Sequence, residues 1–289
     1  MIRDARTVYA NAFSVLERIT MDHRNSVTSR LLPVRSRRSV MAGSLRAICL
    51  FWLTLVLSAS ASHAGVPEQV LVVTGLQQEA EIAKGPGVTV VLTGGSLRSA
   101  MQRLELIDPS RVRVVISFGI AGGLVSPLRV GSVALATEVR ADDGTVYPVS
   151  RALTATIINR LTTQGIDVTV GPWYAQQAPT LSAQGKMALR LYSGTIATDT
   201  ETLSAAIWAD QHHIPFAVLR TITDPVEVSL PPAAYHAVKP DGSYNVGGVI
   251  LQTLLNPLQI PSLMSTASDA SIGFGELRRC RRIVDLGSL

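Results

Sequence analysis

Short runs rich in valine, isoleucine and leucine alternate with segments of helical periodicity from residue 69 onward. The β-branched runs predict strands at QVLVVTG, GVTVVLTGG, RVRVVIS and GSVALATEVR, the last continuing through a hairpin at Asp143-Gly144. Apolar residues at intervals of three and four predict helices, among them GLQQEAEIAK, SLRSAMQRLELI and residues 151–163 and 186–191. The stretch between the last two helices shows no clear pattern. Alternating strands and helices indicate one α/β domain over residues 66–289, with a central mixed sheet flanked by helices.

The stretch from Ser193 to Asp224 predicts a strand, a helix and a second strand in succession. The first strand spans Gly194 to Thr198, and the second is the run IPFAVLRTIT, which stops at Asp224-Pro225. The helix opens at Asp199-Thr200-Glu201, where Asp199 is a good N-cap residue and Glu201 suits the first turn. Four residues at helical spacing support it: Leu203, Ala206, Ile207 and Asp210.

Acidic residues therefore follow both strands of this unit. Such a unit places carboxylates along one edge of a sheet, and open α/β sheets bind their ligands at that edge. Taken one by one, the same residues have ordinary structural explanations, because acidic residues often cap helices and Asp-Pro often forms a turn. A functional site that includes Glu201 and Asp224 is favoured only by their ordered combination with matching segments elsewhere in the chain.

A glycine-rich segment, FGIAGGL at Phe118 to Leu124, follows the third predicted strand. We interpret it as a turn whose backbone N–H groups can approach an anion or a sugar closely. The segment is not G-x-G-x-x-G, and GGSLR is not G-x-S-x-G, so the dinucleotide fingerprint and the nucleophile elbow are both absent. His212-His213 lack the spacing of a metal site. The sequence predicts neither a metal nor an organic cofactor.

The positive charge of the chain is concentrated at its N-terminus. The formal net charge is +5, but residues 1–64 hold 9 arginines, no lysine and 3 acidic residues. The remaining 225 residues carry 17 basic and 18 acidic side chains, a net charge of −1. A near-neutral body gives no electrostatic case for binding nucleic acid.

Residues 41–64 have the layout of a secretory signal peptide or an N-terminal anchor. An arginine-containing start precedes an apolar segment from Ala47 to Ala59, and small residues follow up to Ala64. That segment is shorter than the ~20 residues of a membrane span, so we expect cleavage and export to the periplasm, with an uncleaved anchor as the alternative. A mis-called start codon would instead leave the protein cytoplasmic. The basic residues 1–40 have the character of a disordered extension or an upstream start.

Asp-x-Glu, a helix and the run IPFAVLRTITD resemble the signature of the nucleoside phosphorylase and nucleosidase superfamily. That signature is usually V-D-M-E followed by V-P-F-x-x-x-R-x-x-S-D. The resemblance implies a three-layer α/β/α sandwich with a central mixed sheet. By position, Glu201 would hold the ribose hydroxyls and Asp224 would protonate the purine at N7. Thr200 stands where the family has a methionine that packs on the sugar.

Two further segments resemble the family. In its nucleosidases, a glutamate shortly after the first strand activates the attacking water, and Glu79 fits this position best, with Glu81 as the alternative. The family also has a G-x-A-G-G turn at the place of FGIAGGL, which implies that Gly119 and Ala121 contact the substrate.

Phosphorylases of the superfamily hold inorganic phosphate with an arginine and a serine beside this turn. The corresponding positions here are Ser117 and Ile120, an incomplete set for an anion that needs a guanidinium or several convergent donors. The sequence therefore favours water as the nucleophile. Phosphate stays open as a co-substrate if another arginine, such as Arg98, reaches the site.

The C-terminal part resembles the hopanoid-biosynthesis phosphorylase-like proteins, which remove adenine from adenosylhopane. The matching segments are LPPAA, PDGS, NPLQIPSLMSTASDA and FGELRRCRR. This resemblance implies adenosylhopane as the nucleoside substrate and a homo-oligomer as the assembly. The alternatives are a methylthioadenosine or S-adenosylhomocysteine nucleosidase and, from another class, a non-catalytic purine-binding protein of the cell envelope.

The segment RRCRR has two explanations. It could bring the protein to an anionic membrane surface. The solvated face of a terminal helix, with Phe274 and Leu277 on the apolar side, explains it better.

Overall fold

The computed structural model describes residues 69–94, 96–235, 239, 242–243, 245, 247–248, 251 and 255–289. The predicted signal peptide and the basic extension before it lie outside the described residues. The part of the chain that the structure describes contains no helix with the length and apolarity of a membrane span.

Strands and helices alternate along the chain, as the hydrophobic pattern predicts. The strands are β1 (Gln69–Thr74), β2 (Val88–Leu92), β3 (Val112–Gly123), β4 (Val133–Ala141), β5 (Val146–Pro148), β6 (Val168–Ala175), β7 (Ala197–Asp199) and β8 (Phe216–Asp224). The helices are α1 (Gln77–Ala83), α2 (Leu97–Leu104), α3 (Arg151–Thr162), α4 (Ala183–Ser193), α5 (Thr202–Gln211), α6 (Pro232–Tyr235) and α7 (Ile260–Val284). Short 3-10 turns lie at Pro109–Arg111, Pro257–Gln259 and Leu286–Ser288.

The strands form one mixed sheet. β2, β1, β3 and β8 pair in parallel, and β8 then pairs with β4 in antiparallel fashion. β4 and β6 are parallel, as are β6 and β7, and β7 returns antiparallel to β3. The pairings of β3, β8, β4, β6 and β7 therefore close into a ring, from which β1 and β2 extend on one side and β5 on the other.

Apolar side chains cover both faces of the sheet. Adjacent residues of β1 alternate between the two layers, Leu71 in one and Val72 in the other, as the period of a strand requires. One layer packs against α2 and α5 through residues such as Trp208. The other packs against α1, α3 and α7 through residues such as Ile157 and Leu277. This arrangement confirms the predicted three-layer α/β/α sandwich with a central mixed sheet.

Local sequence signals set several boundaries. The hydroxyls of Ser96, Ser150 and Ser182 each accept a backbone N–H three residues ahead, which begins α2, α3 and α4. The predicted hairpin at Asp143-Gly144 joins β4 to β5, with φ of +84° at Gly144.

The interpretation of FGIAGGL as a turn is wrong, because its residues up to Gly123 form the second half of β3. β3 pairs with β8 as far as Gly122, opposite Asp224, and with β7 at Gly122 and Gly123. Glycine weakens an isolated strand, but pairing on both sides satisfies its backbone groups here.

Two other boundaries differ from the sequence-based expectation. The strand predicted to begin at Gly194 begins at Ala197, because Gly194 ends α4 in the left-handed region at φ +68°. β6 lies within the stretch that showed no clear pattern, where Pro172 interrupts the apolar run.

The C-terminal helix agrees with the second explanation of RRCRR. Phe274 and Leu277 are buried against the sheet, whereas Arg278 and Arg279 are exposed. Arg281 is half-buried and donates from its Nε to the carbonyl of Ala83 at 3.1 Å, so α7 is bound to the end of α1. Membrane association through this segment stays a prediction.

Candidate functional site

Glu79 lies at the start of α1 and is 1% exposed. Its Oε2 accepts the backbone N–H groups of Gly75 and Leu76 at 2.8 and 2.9 Å, which a helix-capping glutamate commonly does. Its Oε1 accepts the backbone N–H of Ile120, on β3, at 2.8 Å. This third hydrogen bond joins α1 to β3 and fixes the carboxylate over the glycine-rich end of β3.

Two glycines make room for the acidic side chains. A Cβ on Gly119 would lie 2.3 Å from Glu79 Oε1 and 2.9 Å from Arg220 Nη1. A Cβ on Gly75 would lie 2.5 Å from the Glu201 carboxyl. Glu79, Glu201 and Arg220 are therefore gathered around one patch of backbone that tolerates no side chain.

Arg220, on β8 opposite Gly119, is fully buried and joins the carboxylates. Its Nη1 donates to Glu201 Oε2 at 3.1 Å and to the Ile120 carbonyl at 2.8 Å. Its Nη2 donates to Ser117 Oγ at 2.9 Å. Its Nε lies 3.2 Å from Asp199 Oδ2, an ion pair that lacks hydrogen-bond geometry.

Asp199 ends β7, just before α5. Its Oδ1 accepts the backbone N–H groups of Glu201 and Thr202 at 2.8 and 2.7 Å. Its Oδ2 accepts the Trp173 indole N–H and the Thr202 hydroxyl, both at 2.6 Å. The sequence placed the N-cap at Asp199, whereas α5 begins at Thr202 with Glu201 as its N-cap residue. The Asp199 carboxylate bonds the backbone just before the helix and also contacts Trp173 of β6 and Arg220.

Glu201 carries hydrogen bonds on both carboxylate oxygens. Besides the Arg220 contact on Oε2, its Oε1 accepts the hydroxyl of Thr200 at 2.6 Å. The Glu201 side chain is 15% exposed, so part of the carboxylate remains open. Thr200 therefore orients Glu201 through a hydrogen bond, which a methionine at this position could not supply.

Asp224, the last residue of β8, lies against Gly122 of β3. The Gly122 Cβ position is 3.0 Å from Asp224 Oδ2. The same oxygen is 2.8 Å from the ammonium of Lys186, which α4 supplies, and the Asp224 side chain is 14% exposed. Gly119 and Gly122 are three residues apart, a separation of roughly 10 Å along a strand. Glu79 and Asp224 thus both lie along the glycine-rich half of β3.

Burial and neighbouring charge shift the acidities of this cluster. Burial raises the pKa of Glu79 to about 7, with a further contribution from Glu201, against the opposing effect of Arg220. Burial likewise raises the pKa of Glu201, opposed by Arg220 and reinforced by Asp199. Three carboxyls facing one guanidinium would leave an excess of negative charge if all were ionised, which is why their mutual repulsion adds to the effect of burial on both pKa values.

The shift for Asp224 has a different opposing charge. Burial raises the pKa of this carboxyl, and Lys186 lowers it. A raised carboxyl pKa is what a proton donor near neutral pH needs.

The structure separates the predicted residues into two groups. Glu79, Thr200, Glu201 and Gly119 lie around Arg220, and Asp224 lies at Gly122, three residues further along β3. By contrast, the Ala121 methyl packs into the apolar layer on the α5 side, and Glu81 is exposed and bonded to Lys84 at 2.5 Å.

The candidate phosphate ligands do not form an anion site. Ser117 is fully buried, accepts from Arg220 and lies 2.7 Å from the Thr202 hydroxyl. Arg98 is exposed on α2. Ile120 contributes its backbone N–H to Glu79.

Three buried residues of the cluster were not singled out from the sequence: Asp199 as an ionic partner, Arg220 and Lys186. Arg220 is the arginine of the IPFAVLRTITD run, so the family signature contained a signal for it. Lys186 had no such signal, because it precedes Asp224 by 38 residues in the chain.

Two surface cavities lie elsewhere. One is bordered by Asp167 and Glu276, and the other by Asp210 and His213. Glu276 is paired with Arg279 at 3.4 Å, and His213 is exposed at the end of α5. Neither lining gathers buried polar groups onto one point, so the β3 end is the better candidate.

The mixed sheet carries largely buried carboxyls at the ends of β7 and β8. The molecule is therefore an α/β protein with a polar site where these strands end. Residues 64–253 match the Phosphorylase superfamily, and the chain belongs to that family. No significant match was found among curated proteins.

Solved structures with this fold include two nucleosidases and a hydrolase. The 5′-methylthioadenosine/S-adenosylhomocysteine nucleosidase of Helicobacter pylori is 15% identical, with 76% of this chain and 98% of that chain covered and a TM-score of 0.57. The corresponding enzyme of Neisseria meningitidis is 17% identical, with 77% and 100% covered and a TM-score of 0.57. Futalosine hydrolase of Helicobacter pylori is 15% identical, with 78% and 99% covered and a TM-score of 0.58. At these identities the likeness is one of fold.

The acidity of Glu79 predicts how stability depends on pH. The pKa of Glu79 is about 7 in the folded protein and 4.5 when unshifted, so between these values the folded state keeps a proton that the unfolded state loses. The Glu79 contribution to stability is therefore fully present below pH 4.5 and is lost as pH rises through 7, at up to about 1.4 kcal/mol per pH unit. Urea unfolding of the parent and of Glu79→Gln from pH 4 to 8 measures it, because the substitution removes this slope.

The matched control is Glu81→Gln, on the exposed side of the same helix. It should leave the pH slope of the parent unchanged. Parallel stability curves for the parent and Glu79→Gln would show that Glu79 titrates as an ordinary exposed glutamate.

Proposed function

We propose that this protein cleaves the N-glycosidic bond of an adenosine-type nucleoside and releases adenine. The observation that carries the proposal is the placement of largely buried carboxyls along the glycine-rich half of β3, with Glu79 at Gly119, Asp224 at Gly122 and Glu201 bound to Arg220 beside Glu79. Membership of the Phosphorylase superfamily supports the class of reaction. The fold shared with the nucleosidases above is consistent with it.

The chemistry requires three functions that these carboxyls can supply. Cleavage builds positive charge on the ribose and negative charge on the departing base. The Glu201 carboxylate would hold the ribose hydroxyls and favour the oxocarbenium-like state. Asp224 would protonate the purine at N7 as it leaves, which is worth roughly 10²- to 10⁴-fold in rate.

Glu79 would act on the nucleophile. A pKa of about 7 lets this carboxyl take a proton from water near neutral pH. Its three backbone donors fix both oxygens, so the group is oriented before substrate binds. Gly119 leaves the space above β3 that the Glu79 carboxyl and Arg220 Nη1 occupy.

Water is a better nucleophile than phosphate for this site. Among the described residues, Arg220 supplies the guanidinium of this cluster. Its contacts are already taken by Asp199, Glu201, Ser117 and the Ile120 carbonyl. A phosphate dianion would face an excess of carboxyls without a free bidentate partner. We therefore favour hydrolysis over phosphorolysis.

The C-terminal resemblance favours adenosylhopane as the substrate. A 5′-methylthioadenosine or S-adenosylhomocysteine nucleosidase is the second candidate, and the similar folds of two such nucleosidases favour it. Release of adenine from a panel of adenosylhopane, 5′-methylthioadenosine and S-adenosylhomocysteine separates the two. Tight adenine binding without turnover of any of them would instead indicate a non-catalytic purine-binding protein.

Asp224→Asn tests the proton donor. An amide cannot transfer a proton at neutral pH, so adenine release should fall by at least about 100-fold. Chromatography of the released adenine measures the rate. Asp210→Asn, on the exposed end of α5, is the control and should keep the parent rate; near-parent turnover by Asp224→Asn would remove Asp224 from its role.

The identity of the nucleophile can be read from the product. In ¹⁸O-labelled water without phosphate, the parent should release adenine at full rate and place the label on the sugar at C1′. Mass spectrometry of the sugar product measures this. A strict requirement for phosphate, with a sugar 1-phosphate as product, would contradict the hydrolytic assignment.

A further inference from the structure

Lys186, the fourth residue of α4, is a lysine without solvent exposure. An ammonium is costly to bury unless charge and hydrogen bonds compensate it. α4 presents exposed apolar side chains elsewhere, for example Leu191 at 87% exposure, so the burial of Lys186 is a specific feature of its position.

The Lys186 ammonium is bound at the end of β8. It lies 2.8 Å from Asp224 Oδ2 and 3.0 Å from each of three backbone carbonyls, those of Asp224, Pro225 and Val228. An ammonium has three protons to donate, and four acceptors share them. The side chain thereby joins α4 to both the carboxyl and the backbone on which the carboxyl is mounted.

The other groups around the Asp224 carboxyl are uncharged. Its own strand supplies the Thr223 hydroxyl, 3.3 Å from Oδ1, and β3 supplies Gly122. α7 reaches the same place through Gly273, which packs against the Thr223 methyl. The nearby Glu227 is exposed. Among the described groups that contact the Asp224 carboxyl, the positive charge therefore comes from Lys186.

We propose that Lys186 is a positioning residue that fixes the Asp224 carboxyl toward the leaving base and stabilises the carboxylate that remains after proton transfer. This inference rests on the proposed function. A cation beside an acid favours its ionised form, so Lys186 makes Asp224 a stronger donor, while burial keeps the proton in place before the reaction.

The proton balance is complete without a further reactant. The O–H bond of Asp224 breaks, its electron pair stays on the carboxylate beside Lys186, and the proton forms the new N–H bond on the purine. The electron pair of the glycosidic bond leaves with the base. Water forms the bond to C1′ and passes a proton to Glu79, and exchange with solvent restores both carboxyls.

Lys186→Met removes the charge while keeping an unbranched apolar side chain of similar length. We expect kcat to fall by at least about tenfold, because Asp224 becomes a weaker acid. The high-pH limb of kcat reports loss of the Asp224 proton, and it should move to higher pH by at least about one unit. A limb that stays at the parent pH would overturn the proposal, since a residue that only packs would lower kcat without moving it.

The matched control is Lys84→Met, which removes an exposed lysine at the end of α1. It should leave both kcat and the limb unchanged. Lys186→Arg keeps a cation at the site and should keep the parent limb even if its rate is lower; a limb shifted as far as in Lys186→Met would contradict an electrostatic role.

A second measurement needs no change at Lys186 and no turnover. In the parent protein, the ¹³C resonance of the Asp224 carboxyl can be assigned by its loss in Asp224→Asn. We expect this resonance and the ¹⁵N resonance of the Lys186 ammonium to shift with the same midpoint pH. An ammonium resonance indifferent to that titration would overturn the proposal. Absence of adenine release by the parent would refute the proposed function instead, and the two resonances would still decide the coupling.

Discussion

The buried guanidinium of Arg220 is the interaction on which this end of the molecule depends. Its charge is enclosed without solvent contact, a cost that the ion pairs with Asp199 and Glu201 and the hydrogen bonds to Ser117 and the Ile120 carbonyl offset. Those partners come from β3, β7 and the start of α5, while Arg220 itself belongs to β8. A single side chain therefore links β3, β7 and β8, three of the five strands in the ring of pairings. The β3 glycines follow from this arrangement, since a side chain at Gly119 would occupy the place of the Glu79 carboxyl and of Arg220 Nη1.

The two ends of the site have different electrostatics. Near Gly119, several carboxyls share one guanidinium, and burial together with their mutual repulsion raises the pKa of Glu79 and Glu201. Near Gly122, one carboxyl faces one ammonium. Titratable groups whose surroundings push their acidities apart commonly divide the roles of acid and base. We propose that the carboxyls around Arg220 bind the sugar and activate water. The pair of Asp224 and Lys186 then protonates the departing base.

Much of the fold and part of the site could be predicted from the sequence, because their signals are local. Alternating strands and helices and the Asp143-Gly144 hairpin each depend on neighbouring residues. The errors arose where distant pairing decides the structure: FGIAGGL is a strand because β7 and β8 flank it, and β6 is held within the sheet by β4 and β7. Glu79, Glu201 and Asp224 were found through a family signature. Lys186 was not, since its contact with Asp224 exists only after α4 has packed against the end of β8.

The most direct measurement is a crystal structure of the protein with a C-nucleoside analogue of adenosine, whose carbon–carbon link between base and sugar resists cleavage. Our account predicts the analogue along the end of β3, with its ribose hydroxyls within hydrogen-bond distance of Glu201 and the N7 edge of its base against Asp224. An analogue bound at another surface, or bound here with neither contact, would contradict the claim that these carboxyls form one nucleoside site.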